Sequence, residues 1–144
     1  MNLQTMNGLE IMQALCKGSI SEPAISRTIP MKPLEVEFGL VVIEAQADER
    51  HINPLGGVHG GFAATVLDSA TGCATHTVLS VGESYGTTDL NIKMCRPMPL
   101  KKRLIAEGKV INVSKNLVIS EGYLRDEEGK LYAHATATNM IIRR

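Results

Sequence analysis

Phe62-Ala63-Ala64-Thr65-Val66-Leu67-Asp68-Ser69-Ala70-Thr71-Gly72-Cys73-Ala74-Thr75-His76-Thr77-Val78-Leu79 is apolar or small on almost every side of a helix. Phe62, Val66, Ala70, Cys73 and Thr77 recur at spacings of three and four along one face, and Ala63, Leu67, Ala74 and Val78 lie beside it. A helix that is apolar nearly all round must be buried nearly all round, so this stretch predicts a central helix wrapped by the rest of the chain. Asp68 breaks the pattern, with no Lys or Arg three or four positions away to pair with it. A carboxylate desolvated without a partner is costly unless it is hydrogen-bonded, and such groups concentrate at active sites. The other reading of Asp68 is a polar seam in which it bonds Thr65 or Thr71.

Downstream of the helix the period changes to two. Thr88, Leu90, Ile92 and Met94 alternate with Thr87, Asp89, Asn91 and Lys93, and Leu104, Ala106, Gly108 and Val110 alternate with Ile105, Glu107, Lys109 and Ile111. Leu117 to Arg125 follows a turn at Ser114-Lys115-Asn116, and Asp126-Glu127-Glu128-Gly129 turns the chain into Leu131 to Ile142. Consecutive strands joined by short turns pair antiparallel. Upstream, Leu34 to Ala47 is rich in β-branched and aliphatic residues and predicts one long strand. Ser21 to Pro33, with three prolines, reads as loop, and Ile11, Met12 and Leu15 before Gly18 predict a short N-terminal helix. The expected architecture is α+β: one antiparallel sheet wrapped around one long helix, in a single domain over 1–144 with an N-terminal helix and loop over about 1–33 and a core over about 34–142.

Composition narrows the function. Lys and Arg number 15 against 15 Asp and Glu, so no global field recruits nucleic acid or an anionic membrane. Three Tyr, two Phe and no Trp leave little with which to stack bases, and any pocket is expected to be aliphatic. Cys16, Cys73 and Cys95 stand far apart without a CxxC pair, which reads as reduced thiols. Met1 to Cys16 carries Glu10 and no basic leader segment, and no apolar run reaches membrane-spanning length. A soluble, cytoplasmic protein is the expectation.

Before the helix, Asn53-Pro54-Leu55-Gly56-Gly57-Val58-His59-Gly60-Gly61 is a loop that brings backbone close to something. Gly60 and Gly61 stand where the first N–H groups of a helix are unpaired and the helix dipole is positive, a place that would stabilise a developing oxyanion. The plainer reading is a tight turn. No Lys-Ser/Thr follows and no GxGxxG occurs, which excludes phosphate-binding and dinucleotide loops; no cofactor is called for. Gly60 and Asp68 are eight positions apart, or roughly 12 Å along a helix axis. One reacting carbonyl cannot touch both on the same chain, so joint action requires two subunits.

Other residues weigh less. His59 is expected to shape the loop rather than move a proton. Cys73, His76 and His59 could be drawn as zinc ligands, but no fourth is evident. Ser69 lacks the G-x-S-x-G elbow of a serine hydrolase. Lys101-Lys102-Arg103 and Lys115 could meet phosphates, although a basic run at the start of a strand is more often a solvated face.

Asn53, Gly56, Val58-His59-Gly60-Gly61, Leu67-Asp68, Thr88-Asp89-Leu90-Asn91-Ile92 and Arg96-Pro97 resemble the phenylacetate-degradation type of the 4-hydroxybenzoyl-CoA thioesterase superfamily, over about residues 34–142. The resemblance implies a hot-dog fold and hydrolysis of acyl-CoA, with CoA entering as part of the substrate. It implies Asp68 as general base or nucleophile, Gly60 N–H as the group polarising the thioester carbonyl, Asn53 as a positioner of the carbonyl or the water, and Thr87 as the hydroxyl that holds the water. Thr88 is one residue away, and a slip of one would exchange the two. His59, Gly61 and Lys115 complete the set as substrate-binding candidates. The family pattern also implies homodimers with active sites at the interface, often paired into tetramers. A non-catalytic acyl-CoA-binding protein and an enoyl-thioester hydratase are the alternatives on the same fold; the hydratase pattern of a His and an acidic residue after a Pro-rich loop is absent here.

Overall fold

The computed structural model describes residues 1–144. Helix α1, Gly8–Cys16, starts at a capping box: the Asn7 side chain accepts from Glu10 N at 2.9 Å, and the Glu10 carboxylate accepts from Asn7 N at 2.8 Å. A single helical turn follows, α2 at Ile25–Thr28, inside the segment expected to be loop. The long strand expected over Leu34 to Ala47 is instead a hairpin of β1, Met31–Glu37, and β2, Leu40–Ala45. Gly39 turns the chain with φ +78°, a conformation costly for any side chain bearing a Cβ. Its N–H donates to Thr77 Oγ1 at 2.7 Å and its carbonyl accepts from Val110 N at 2.8 Å. A run of β-branched residues is blind to such a turn, and the isolated glycine was its signal. The sheet therefore has six strands rather than five, and it begins at Met31 rather than Leu34.

Helix α3, Gly60–His76, lies across the sheet formed by β1, β2, β4 (Leu104–Val113), β5 (Leu117–Asp126), β6 (Leu131–Arg143) and β3 (Glu83–Met94), antiparallel throughout and in that spatial order. Phe62, Ala63, Val66, Leu67, Ala70 and Ala74 of α3 are buried in the main core. The strand residues beneath them are small. A Cβ on Gly108 of β4 would overlap the Ala70 carbonyl, and one on Gly122 of β5 would come 3.1 Å from Leu67 Cδ2 and Thr71 Cγ2. On β6 the inward positions Ala133, Ala135 and Ala137 are buried. Small residues beneath the helix let its backbone rest almost on the sheet, so the core fills with few aromatic rings. No helix is long and apolar enough to cross a membrane.

Strand β3 is an edge of the sheet and carries an irregularity. Thr87 pairs with Asn139 and Asp89 with Thr138, which leaves Thr88 as an extra residue. A bulge of this kind breaks the inside–outside alternation at one point and re-aims a side chain. Strict alternation would put Thr87 on the face opposite Leu90 and Ile92. The bulge puts Thr87 against α3, the same side on which Leu90 and Ile92 pack into the core.

Candidate active site

Asp68 sits half-buried in the middle of α3. Its partner is neither Thr65 nor Thr71, whose hydroxyls donate to the backbone carbonyls of Gly61 and of Leu67 and Asp68. Thr87 Oγ1 donates to Asp68 Oδ1 at 3.0 Å, and no group of the chain occupies Oδ2. Thr88 Oγ1 donates instead to the Thr138 carbonyl at 3.2 Å. Of the two adjacent threonines, the structure brings Thr87 to Asp68.

The groups beside Asp68 are held neutral. Burial pushes the Cys73 thiol up to about 12, and the charge of Asp68 adds to the shift. Burial also raises the Tyr85 phenol, with Cys73 and Asp68 contributing. More than two turns beyond Asp68 on α3, desolvation lowers His76, whose ring tilts against Tyr85 at 5.8 Å between centroids.

At the start of α3 the loop residues take distinct parts. His59 is the N-cap, and its Nδ1 accepts from Gly61 N at 2.8 Å. That occupies the Gly61 N–H and places the ring proton on Nε2. Phe62 N donates to the His59 carbonyl at 3.0 Å. Gly60 N–H has no acceptor in the chain, which leaves it the free donor at the positive end of the helix. Asn53 Oδ1 accepts from Leu55 N at 2.9 Å and from Gly57 N at 3.2 Å, shaping the loop and leaving Nδ2 as its free end. A shallow hollow lined by Val58, Gly60, Met94, Arg96 and Met98 opens at this point.

Within the chain these groups stay apart: Gly60 begins α3, and Asp68 lies more than two turns along it. Lys115 is farther off. It occupies the turn between β4 and β5, where its carbonyl accepts from Arg143 Nη2 at 2.7 Å. Arg143 pairs with Glu83 at one end of β3, and Met94, the neighbour of Gly60, is at the other. The basic run is committed to ion pairs: Lys101 with Glu49, Lys102 with Asp126, and Arg103 with Glu44 and Glu127.

Two features escaped the sequence reading. Behind Thr87 stand Asn139, Thr75 and Ser120, all buried and hydrogen-bonded to one another. The inward alternation Ala133, Ala135, Ala137, Asn139 was the available signal, since it ends on a polar side chain facing the helix. The second is a cavity of about 380 Å³ between α1, α2, β1 and α3, lined by Met12, Leu15, Ile25, Met31, Ser69 and Cys73. Its size is that of a small-molecule site, and Ser69 is the residue next to Asp68.

Comparison with known proteins gives this geometry a family. Residues 55–133 match the Thioesterase superfamily. The human protein acyl-coenzyme A thioesterase 13 is 25% identical over 142 residues, which are 98% of this chain and 99% of that one. The crystal structure of a phenylacetic acid degradation-related protein from Ralstonia eutropha superposes with a TM-score of 0.81 at 28% identity, covering 90% of this chain and 98% of that one. A hypothetical thioesterase protein from Streptococcus pneumoniae, solved with coenzyme A, shares the fold at a TM-score of 0.72 and 19% identity, over 79% and 87% of the two chains. The chain belongs to the thioesterase superfamily and is a hot-dog thioester hydrolase.

Proposed function

We propose that the chain hydrolyses acyl-CoA thioesters, with Asp68 as the acting carboxylate and Gly60 N–H as the oxyanion donor. The observation that carries this reading is the state of two groups on α3: Asp68 is held at Oδ1 with Oδ2 free, and Gly60 N–H is unpaired at the helix start. In the proposed step a water oxygen bonds to the thioester carbonyl carbon as its proton passes to Asp68 Oδ2. The carbonyl oxygen takes up negative charge against Gly60 N–H, with Asn53 Nδ2 beside it. Collapse breaks the C–S bond, the thiolate of CoA leaves with the proton from Asp68, and the products are the acid and CoA.

Because Gly60 and Asp68 of one chain are too far apart for one carbonyl, the working unit is a homodimer in which Gly60 and Asn53 face Asp68 and Thr87 of a second copy. The twelve-residue strand β3 supports this, since it is an uncovered edge, and exposed edges of that length invite pairing. Leu117, Met140 and Ile142 are exposed on the sheet face away from α3, which supports pairing of dimers into a tetramer. The likeness to acyl-coenzyme A thioesterase 13 supports CoA as the carrier, and the aliphatic cavity beside Ser69 supports an aliphatic acyl group. Three free thiols suit a reducing cytoplasm.

The deciding experiment is hydrolysis of a panel of aryl and aliphatic acyl-CoAs by the wild type and Asp68→Asn. Turnover that falls by about a hundredfold or more in the variant is the expected result, with aliphatic esters ranking above aryl. Equal turnover by the two proteins removes Asp68 from the chemistry, and failure on every ester removes CoA thioesters as substrates.

A further inference from the structure

Four side chains behind Asp68 form a line of hydrogen bonds with a single direction. Thr87 Oγ1 donates to Asp68 Oδ1 at 3.0 Å and accepts from Asn139 Nδ2 at 3.0 Å. Asn139 Oδ1 accepts from Thr75 Oγ1 at 2.9 Å, and Thr75 Oγ1 lies 2.8 Å from Ser120 Oγ. The direction follows from counting protons. Thr75 has one hydroxyl proton and gives it to Asn139, so Ser120 must donate to Thr75. Asn139 then presents its NH₂ to Thr87, whose only proton is left to face Asp68.

The amide of Asn139 decides the outcome. Turned over, it would present Oδ1 to Thr87 and draw the Thr87 proton away from Asp68. Asp68, which can only accept, takes the Thr87 proton at one end, and a turned amide would cost it that donor and force Thr75 and Ser120 to reverse at the other, so the line is held from both ends. Thr75, Ser120 and Asn139 are each 0% exposed and come from α3, β5 and β6. None of the three is open to bulk solvent, so the line is set by the packing of three elements rather than by one loop.

We infer that Asn139, locked by Thr75 and Ser120, is a positioning residue that commits the Thr87 proton to Asp68 Oδ1 and so holds Oδ2 toward the reacting water. The inference rests on the assignment of Asp68 as the acting carboxylate, and it adds three residues that act only through Thr87. Their removal lowers the rate of the chemical step while leaving substrate binding intact.

The test compares Thr75→Val, Thr75→Ser and Asn139→Leu with the wild type on octanoyl-CoA, each in the wild-type and the Thr87→Val background. Thr75→Val is close to isosteric and removes the lock on the amide. Its kcat is expected to fall roughly five- to tenfold, the scale of a weakened hydrogen bond to a charged group, with KM unchanged and with Thr75→Ser restoring the rate. In the Thr87→Val background the same change is expected to have no further effect, because nothing remains for the amide to orient. A structural defect would lower activity in both backgrounds. Wild-type kcat in Thr75→Val, or a loss that persists undiminished without the Thr87 hydroxyl, overturns the inference. If Asn139→Leu does not fold, the Thr75 pair decides alone. Asp68→Asn in the same assay separates the levels. Full activity there removes the reading of Asp68 and this inference with it, whereas loss there beside a wild-type Thr75→Val removes this inference only.

Discussion

Thr87 Oγ1 donates to Asp68 Oδ1 at 3.0 Å across the gap between β3 and α3, and it does so because the chain carries one residue too many at Thr88. Without the bulge, the hydroxyl facing the helix would belong to the other threonine. The pair therefore gives a sharp mutational contrast between neighbours in sequence.

Thr87→Val is expected to lower kcat on an acyl-CoA roughly ten- to hundredfold, the scale of a hydrogen bond to a charged group, while Thr87→Ser stays near wild type. Thr88→Val loses only a bond to the Thr138 carbonyl, and its kcat should remain within about twofold, as for substitutions away from the working groups. Steady-state kinetics on the four proteins checks this, and a Thr88 variant as impaired as the Thr87 variant would reverse the assignment.

That contrast also marks the limit of what the residues reveal unaided. Helix α3 was legible because Phe62 to His76 has an apolar surface that no exposed helix could carry, and Asp68 stood out against it. Strand β4 was legible because Leu104, Ala106 and Gly108 alternate with Ile105, Glu107 and Lys109, and strands β5 and β6 because the turns at Ser114-Lys115-Asn116 and Asp126-Glu127-Glu128-Gly129 set them off. The hairpin at Gly39 was hidden in a run whose β-branched residues suit two strands as well as one. An inserted residue in β3 leaves no trace in periodicity, so a strictly alternating strand aims Thr87 outward. Only the family resemblance pointed to it. Asn139 ends the inward series Ala133, Ala135 and Ala137, which signals its position but not its partners: Thr75 and Thr87 come from two other elements, and such pairing has no local pattern.

The thiols should differ in reactivity by environment. Burial pushes Cys73 up to about 12, so at pH 8 it is almost wholly the unreactive thiol. Cys95 is exposed on the chain leaving β3. Titration of the native protein with an aromatic disulfide reagent, read by mass spectrometry of the peptides, is expected to modify Cys95 within minutes and Cys73 only after unfolding. Rapid labelling of Cys73 in the native protein would show that the cavity beside it opens to solvent.

Acid stability should depend on two turn carboxylates. Hydrogen bonds from the Lys130 backbone, the Lys102 side chain and the Glu128 backbone lower Asp126, against the opposing effect of burial. The Arg50 guanidinium and backbone lower Asp48 well below the usual carboxylate range. A carboxyl group whose folded-state pKa is depressed stabilises the fold above its unfolded pKa, and that contribution disappears as pH falls through the folded value. The wild-type Tm is therefore expected to fall as the pH drops below about 4, the range of an unperturbed Asp. Asp126→Asn, which cannot ionise, should start lower at pH 7 and lose less over the acid range. Parallel Tm curves for the two proteins would show that Asp126 does not drive the acid transition.

A hybrid of two inactive variants tests the interface arrangement directly. Asn53→Ala and Asp68→Asn homodimers each lack one group in both sites. In a hybrid dimer with sites shared between chains, one site carries both defects and the other is intact. If subunits exchange at random, half of the dimers are hybrids and half of their sites work, so mixing should restore about a quarter of wild-type activity. Sites contained within single chains would gain nothing from exchange, because every chain still carries its own defect. Exchange itself is verified by native mass spectrometry of differently tagged chains. Recovery without exchange, or exchange without recovery, would contradict a site built from Gly60 and Asn53 of one copy and Asp68 and Thr87 of the other.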